Sequence, residues 1–283
     1  MQVLVTGVTG RVGRNFARSM IANGHQVRGL VMADDPGLEQ AVDDGVAVVI
    51  GNLRDPEAAA EAVAGVDKVM HLGALMLWIG DAGNPTLMED NIRGTFNLVH
   101  AAAQAKVSRL VFASSDEVYP SLFAKYLPID ESHPREPYSF YGLTKVAGEE
   151  LLHYYRRANG LPTAIARFSL VYEPWESVSP KGTLGGFLFY EKLINFVRSR
   201  AGDAVADSLV PAGEPAPDLL LPRDENGNPW MFHCCDVRDI VQGLTLLLDR
   251  PEASVSASST CRRSRVSFHV HAGEISKGGS MPF

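Results

Sequence analysis

Cysteine, uninterrupted apolar sequence and positive charge are all scarce in this chain of 283 residues. Its three cysteines, Cys234, Cys235 and Cys261, are odd in number and lack metal-ligand spacing. That argues against a disulfide framework or a bound metal and for reduced thiols in a cytoplasm. The adjacent pair reads as two small buried hydrophobes. No apolar run approaches the roughly 18 residues of a membrane span. An apolar strand starts at Val3, which leaves no room for a secretory signal. Lys and Arg number 26 against 33 Asp and Glu, a net charge of −7. Nucleic acid and anionic membrane surfaces are therefore poor partners. With 46% hydrophobic residues, the length suits one large α/β unit or one domain plus a small lobe.

What is present begins at once. Val3, Leu4 and Val5 form a short apolar run, and glycines follow at 7, 10 and 13. After them Phe16, Ala17, Met20 and Ile21 recur at helical spacing. Strand, glycine turn and helix in this order make the layout of a dinucleotide site. Gly7 makes the tight turn, Gly10 lets backbone N–H groups meet a pyrophosphate at the helix N-terminus, and Gly13 brings the helix close to the sheet. A glycine-rich turn that binds nothing is the competing account; the strand–helix junction at the head of an α/β pattern favours binding.

Apolar and helical stretches then alternate. Strands are expected at 26–31, 46–50, 67–72, 109–113 and 163–167, with helices at 56–64, 85–105 and 138–158. This order demands a doubly wound parallel α/β sheet of the Rossmann type, with ligands at the carboxyl ends of the strands. The turns to watch are 7–13, 32–36, 51–55, 73–80, 114–120 and 168–175. Beyond Tyr172 the alternation stops. Residues 173–186 and 207–229 are rich in Pro, Gly and acids, with a helix expected at 187–200 between them and another at 236–249. The expected division is a dinucleotide-binding domain at 1–172, a small C-terminal substrate lobe at 173–253 interleaved with the sheet edge, and a weakly structured tail at 254–283. That tail carries Arg262, Arg263, Arg265 and Lys277 against Glu274 alone, and Val266–Val270 is its one strand-like run.

Tyr141 and Lys145 stand four apart in the long helix and share a face. Ser114 and Ser115 close the strand before it. A phenol ordinarily titrates near ~10, and a neighbouring ammonium is expected to move it toward working pH. A serine hydroxyl beside it holds a substrate oxygen. Surface helices produce such Tyr–Lys pairs by chance, but their place after a strand ending in two serines favours hydride chemistry on an alcohol or carbonyl.

These residues bring the chain to a family. It resembles the extended short-chain dehydrogenase/reductases, in the NAD-dependent epimerase/dehydratase branch. The matching pieces are T-G-V-T-G-R-V-G (6–13), G-N-L-R-D (51–55), H-L-G-A (71–74), N-I-R-G-T-F-N-L (91–98), V-F-A-S-S-D-E-V-Y (111–119), Y-G-L-T-K (141–145), A-R-F-S-L-V-Y-E-P (166–174) and F-H-C-C-D-V (232–237). They keep the family's order and cover roughly residues 1–250.

The resemblance implies an NAD(P)-dependent oxidoreductase with Ser115, Tyr141 and Lys145 as catalytic residues. Gly7, Gly10, Arg11 and Val12 would wrap the pyrophosphate. Asn52 and Leu53 would flank the adenine, Leu72, Gly73 and Ala74 the ribose side, and Phe168 with Val171 the nicotinamide, where Tyr141 and Lys145 also touch the cofactor. Asn91 matches an Asn that supports the helix near the cofactor, with helix capping an equal account. Homodimerisation through the helices 85–105 and 138–158 is also implied, as is a small-molecule substrate.

The departures are specific. Val31 ends the second strand where NAD-preferring members keep an acid, and Asp34 and Asp35 come late. No Arg or Lys follows to meet a 2′-phosphate, so NAD is expected, while Arg11 leaves NADP open. Leu170 and Glu173 replace an Asn and a Gly of nucleotide-sugar enzymes. The apolar Met76, Leu77 and Trp78 suit a smaller substrate or ordinary packing. Asp116–Glu117 match the acid/base pair of sugar-nucleotide 4,6-dehydratases, although polar residues are common at such strand ends. Arg167 reads as a salt-bridge partner anchoring the lobe and His233 as a structural histidine. Three readings stay open: an epimerase or dehydratase acting on a sugar or nucleotide sugar, a simple ketone reductase or alcohol dehydrogenase, and a cofactor-binding protein without turnover, for which the divergent tail speaks.

Overall fold

Apolar runs too short for buried helices become strands. The computed structural model describes residues 1–76, 84–120, 124–177, 189–208, 227–228 and 234–250. It contains β1 (Gln2–Thr6), α1 (Arg11–Ala22), β2 (Gln26–Val31), α2 (Leu38–Asp43), β3 (Ala47–Ile50), α3 (Pro56–Val63), β4 (Lys68–His71), α4 (Pro85–Leu87), α5 (Gly94–Gln104), β5 (Arg109–Ser115), α6 (Phe140–Asn159), β6 (Thr163–Phe168) and β7 (Leu170–Tyr172). After these come α7 (Tyr190–Ala201), α8 (Asp203–Ser208), β8 (Cys234–Asp236) and α9 (Val237–Asp249). The first six strands form one sheet in the order β3-β2-β1-β4-β5-β6, each neighbouring pair parallel. The winding reverses between β1 and β4, which is where such sheets receive ligands. The expected doubly wound α/β fold is what forms.

Sequence sets most boundaries locally. Asp55 caps α3 by accepting the Glu57 N–H, with Pro56 in the first turn. Ser139 caps α6 by accepting the Gly142 N–H, and Gly160 ends it in the left-handed region. All seven residues of β5 are buried, as expected of a strand covered on both faces. Leu110, Phe112 and Ile165 pack there with Leu98, Val99 and Leu152.

Two local expectations need correction. The helix expected at 85–105 divides into α4, a π-helical stretch Met88–Arg93 and α5. The wider turn lets the Asn91 amide face inward, where it accepts the Leu75 N–H and donates to the Leu75 carbonyl, each at 2.8 Å. Helix α2 was not expected, because six residues between glycines carry too little periodicity.

By its contacts the chain forms two units, and α9 groups with residues 1–171, although the sequence division places it in the second segment. Its buried face (Val237, Ile240, Leu244, Leu247 and Leu248) meets α1. Its last carbonyls are taken over by the first residues of two strands: Lys68 Nζ donates to Leu248 O and Arg109 Nε to Leu247 O, each at 3.0 Å. In the second unit Arg198 on α7 bridges Asp203 and Asp207 at 3.0 Å. There the Glu173 N–H and the Trp175 indole N–H are accepted by Glu176 and Glu173. Leu77, Trp78, His233 and the whole of 254–283 lie outside the described residues.

Candidate active site

The glycine turn is built by close approach. Gly7 has φ +67°, and a Cβ there would meet the Gly73 backbone at 2.8 Å. A Cβ on Gly13 would lie 2.0 Å from the Gly7 carbonyl oxygen, so the first turn of α1 rests directly on the loop. Gly10, the exposed residue before α1, offers no side-chain cap, and a helix N-terminus of this kind suits an anion.

The floor of this cleft is neutral. The Thr6 hydroxyl accepts the Gly73 N–H at 3.1 Å and meets His71 Nδ1 at 2.7 Å, while His71 Nε2 meets the Thr95 hydroxyl at 2.9 Å. Burial, aided by the nearby Lys145 charge, pulls the His71 imidazole down to about 3, so it is uncharged at neutral pH. Leu72 and Gly73 are half-buried beside it, Ala74 is exposed and Val12 is half-buried on α1.

At the other end of the turn the late acid takes a definite place. Asp35 accepts the Thr9 hydroxyl at 2.9 Å and the Gly37 N–H at 2.8 Å. Its carboxylate thus lies against the glycine loop despite following β2 by four residues. Asn52 accepts the Arg54 N–H and lies 3.4 Å from Met32 Sδ. The carbonyls of Leu53 and Arg54 are held by Asn97 on α5 at 2.8 and 3.1 Å, a supporting residue the sequence did not reveal. Arg11 donates to the Val171 carbonyl at 3.0 Å.

The Tyr141–Lys145 region sits two strands away, at β5, roughly 10 Å across the sheet at the usual strand spacing. Tyr141 and Lys145 do face together: Lys145 Nζ is 5.4 Å from the Tyr141 ring centroid and 4.9 Å from that of Phe112. The Lys145 side chain is only 3% exposed, and its ammonium donates to the Ala113 carbonyl at 2.8 Å. Burial lowers Lys145 to about 8, partly opposed by Glu149.

The expectation for Tyr141 is reversed in this state of the protein. Burial, then the charges of Glu117 and Asp116, push the phenol up. Ser115 caps the short 3-10 turn Asp116–Val118, accepting the Glu117 N–H at 3.2 Å and donating to Asp116 at 3.3 Å. Glu117 in turn accepts the hydroxyl of Ser139, the cap of α6. Asn91 is no helix cap: besides Leu75 it donates to Thr144 at 3.1 Å, and Thr144 donates to the Tyr141 carbonyl.

The alternation of β5 separates its two serines. Ser114 turns to α6 and donates to Glu149 at 2.6 Å. Glu149 also accepts Arg167 Nε and Nη2 at 2.8 and 2.7 Å and Arg135 at 2.8 Å. Arg167 is indeed a salt-bridge partner, but of α6, and it donates to the Tyr119 hydroxyl. Phe168 follows it, opposite Ser115 across β5 and β6. Glu149 was missed; the recurrence of Tyr141, Lys145 and Glu149 at intervals of four was the available signal. Among the described residues no cluster of His, Cys, Asp and Glu is suited to a metal.

The model of the NAD dependent epimerase/dehydratase family matches residues 3–259. A putative UDP-glucose 4-epimerase of Methanocaldococcus jannaschii is 32% identical over 198 residues, 68% of this chain and 63% of that protein. A 4-hydroxy-2-methyl-3-oxo-4-farnesyl-3,4-dihydroquinoline-1-oxide ketoreductase of Stigmatella aurantiaca is 32% identical over 255 residues, 88% of this chain and 65% of that protein. The chain thus spans less than two-thirds of the length of these curated relatives. Among solved structures, a short-chain dehydrogenase/reductase superfamily protein from Agrobacterium tumefaciens with bound NAD is 38% identical, with a TM-score of 0.79 over 89% of this chain and 75% of that one.

Proposed function

The chain belongs to the NAD dependent epimerase/dehydratase family, and from that premise we propose that it is an NAD-dependent oxidoreductase acting at a hydroxyl-bearing or carbonyl carbon of a sugar or nucleotide sugar. The observation that carries this reading is the pairing of Tyr141 and Lys145 on one face of α6, beside the carboxyl end of β5.

The cradle fits a dinucleotide: side chains are absent where Gly7 and Gly13 touch neighbouring backbone, and the α1 N-terminus is uncapped. Gly7, Gly10, Arg11 and Val12 would hold the pyrophosphate, Asn52 and Leu53 the adenine, Leu72 to Ala74 the ribose side, and Phe168 and Val171 the nicotinamide. Asp35 disfavours a 2′-phosphate by charge, which supports NAD over NADP. Bound NAD supplies the acceptor and donor of a hydride at the substrate carbon.

The chain's own residues handle the proton. With its phenol pushed up, Tyr141 carries a proton at neutral pH and donates it to a substrate carbonyl oxygen as that oxygen gains negative charge. In the reverse direction the same oxygen takes the hydroxyl proton, and the Lys145 ammonium stabilises the resulting phenolate. The Ser115 hydroxyl orients the substrate oxygen. Burial, then Glu117 and Asp116, raise the affinity of Tyr141 for its proton, so the resting site holds the proton that reduction consumes.

A second reading, reduction of a smaller ketone, is favoured by Leu170 and by the likeness to the ketoreductase over 88% of the chain. The two separate in one assay. An epimerase leaves NADH absorbance unchanged while its sugar isomerises; a reductase consumes NADH. Fluorescence titration with NAD and NADP, then a melting-temperature screen of nucleotide sugars, tests the cofactor and the substrate class. No change with any of them would overturn the reading.

The protein pairs with a second copy through the π-helical stretch, α5 and α6. These leave a groove of about 570 Å³ between Met88, Ile92, Phe96, Ala147, Leu151 and Tyr154, with Met88 43%, Phe96 44% and Tyr154 57% exposed. Apolar area of this kind marks an interface, and sedimentation of the wild type as a monomer would refute it. Among the described residues no helix is long and apolar enough to cross a membrane. The reduced thiols Cys234 and Cys235 suit a cytoplasmic protein.

A further inference from the structure

One buried charge lies outside the roles assigned above. Glu149 is 0% exposed and accepts four hydrogen bonds, two from Arg167 and one each from Ser114 and Arg135. A buried carboxylate is tolerated only when so satisfied, and the positions of these donors are informative. Ser114 and Arg167 are partners across β5 and β6, and the next pair along the same register is Ser115 and Phe168. Glu149 stands one helical turn after Lys145, where side chains are neighbours. One carboxylate therefore joins three elements immediately behind the reacting groups.

We propose that Glu149 is a positioning residue of the reaction: it locks the Ser114–Arg167 pair to the helix that carries Tyr141 and Lys145, and its negative charge faces the Lys145 amine. The inference rests on the proposed Tyr141–Lys145 chemistry. Through the lock, Ser115 and Phe168 keep their places relative to the Tyr141 oxygen. Through the charge, Lys145 stays an ammonium in a site whose burial disfavours one.

The charges around Lys145 are few. Tyr141 and Glu149 share its helix, and His71 approaches from β4 as a neutral ring. Arg167 on β6 and Arg135 reach it only through Glu149, while Glu117 and Asp116 face Tyr141. Burial works against the Glu149 charge too, yet the bonds from Arg167, Ser114 and Arg135 more than offset it and hold its carboxyl below the usual range. Glu150 and His153 flank it on the outer side of α6.

The test titrates Lys145 in ligand-free protein by NMR of 13Cε-lysine, its signal assigned by loss in Lys145→Arg. The wild-type midpoint is expected near 8. Glu149→Gln should lower it by about one pH unit, a tenfold loss of proton affinity, and Glu149→Asp should restore it. An unmoved midpoint in folded Glu149→Gln overturns the charge role. Should the Gln variant not fold, an Asp midpoint displaced by a full unit overturns it instead. Ser114→Ala tests the lock: kcat should fall about tenfold with the KM for NAD and substrate within about twofold, and an unchanged kcat overturns it. A wild type that turns over no substrate refutes the oxidoreductase reading, while the titration still decides the role of Glu149.

Discussion

The two ends of the cleft are built by opposite means. At the glycine end, backbone meets backbone: Gly13 on Gly7, Gly7 on Gly73, with the neutral Thr6–His71–Thr95 chain beneath. Around Tyr141, charges are buried together: Lys145, Glu149 and Arg167, with the half-buried Arg135 bonded to Glu149. The first should tolerate changes of salt, and of pH above about 6.5, but not of volume. The second should tolerate modest changes of shape but not of charge. Under the proposed function, a dinucleotide held at the glycine turn needs the former and a proton moved at the Tyr141 oxygen needs the latter.

The largest expected effect breaks the chemical end alone. Tyr141→Phe should cost about 10³-fold in kcat and leave the NAD dissociation constant within twofold; normal turnover would remove Tyr141 from its role. At the glycine end the mirror experiment is Gly13→Ala, whose methyl would stand 2.0 Å from the Gly7 oxygen. NAD affinity measured by fluorescence should drop by at least about 100-fold, and a mild change would show that the turn yields easily.

Next comes acid. Unfolded His71 takes a proton near 6.5 and the folded ring only near 3, so the unfolded state binds more protons between these values. Stability is present above 6.5 and is lost as pH falls. By pH 4 the loss should reach about 3 kcal/mol relative to His71→Asn, compared by urea unfolding at both pH values. Parallel pH dependence in the two proteins would mean that the histidine titrates elsewhere in the scheme.

Lys145 carries the opposite lesson. Its folded value, about 8 against the ordinary 10.5, means that the fold holds the ammonium at a cost below pH 8. That cost is relieved as pH rises from 8 to 10.5. Lys145→Met should therefore raise stability at pH 7 by about 1–2 kcal/mol while abolishing turnover, a trade of stability for function; a lowered melting temperature would contradict it. The smallest effect sharpens cofactor choice. Asp35→Asn should improve the affinity for NADP over NAD by about tenfold, read by the same titration, and no change would remove Asp35 from the site.

Much of this was legible in the residues. Strand 109–113 was readable because its apolar run Leu110–Ala113 is bounded by polar residues, and strand 26–31 because its valines and Leu30 fall between turn residues in an alternating chain. The shared face of Tyr141 and Lys145 followed from spacing alone. What was not legible depended on distance along the chain. The partners of Glu149 lie 14 to 35 residues away, and nothing local announces them. The π-helical stretch at Asn91 answers to Leu75 and Thr144, not to its own neighbours. The upward push on Tyr141 comes from burial and then from carboxylates whose approach depends on how the 3-10 turn meets α6. Helix spacing had suggested only the ammonium.

The two cations at the strand starts have a consequence for how α9 is kept in place. Lys68 and Arg109 hold the final carbonyls of α9 at the amino-terminal edge of the sheet, the edge opposite the reacting groups. The last turn of α9 is thereby clamped by the sheet's own strand starts, so replacing either cation should loosen this helix and leave the Tyr141–Lys145 pair in place.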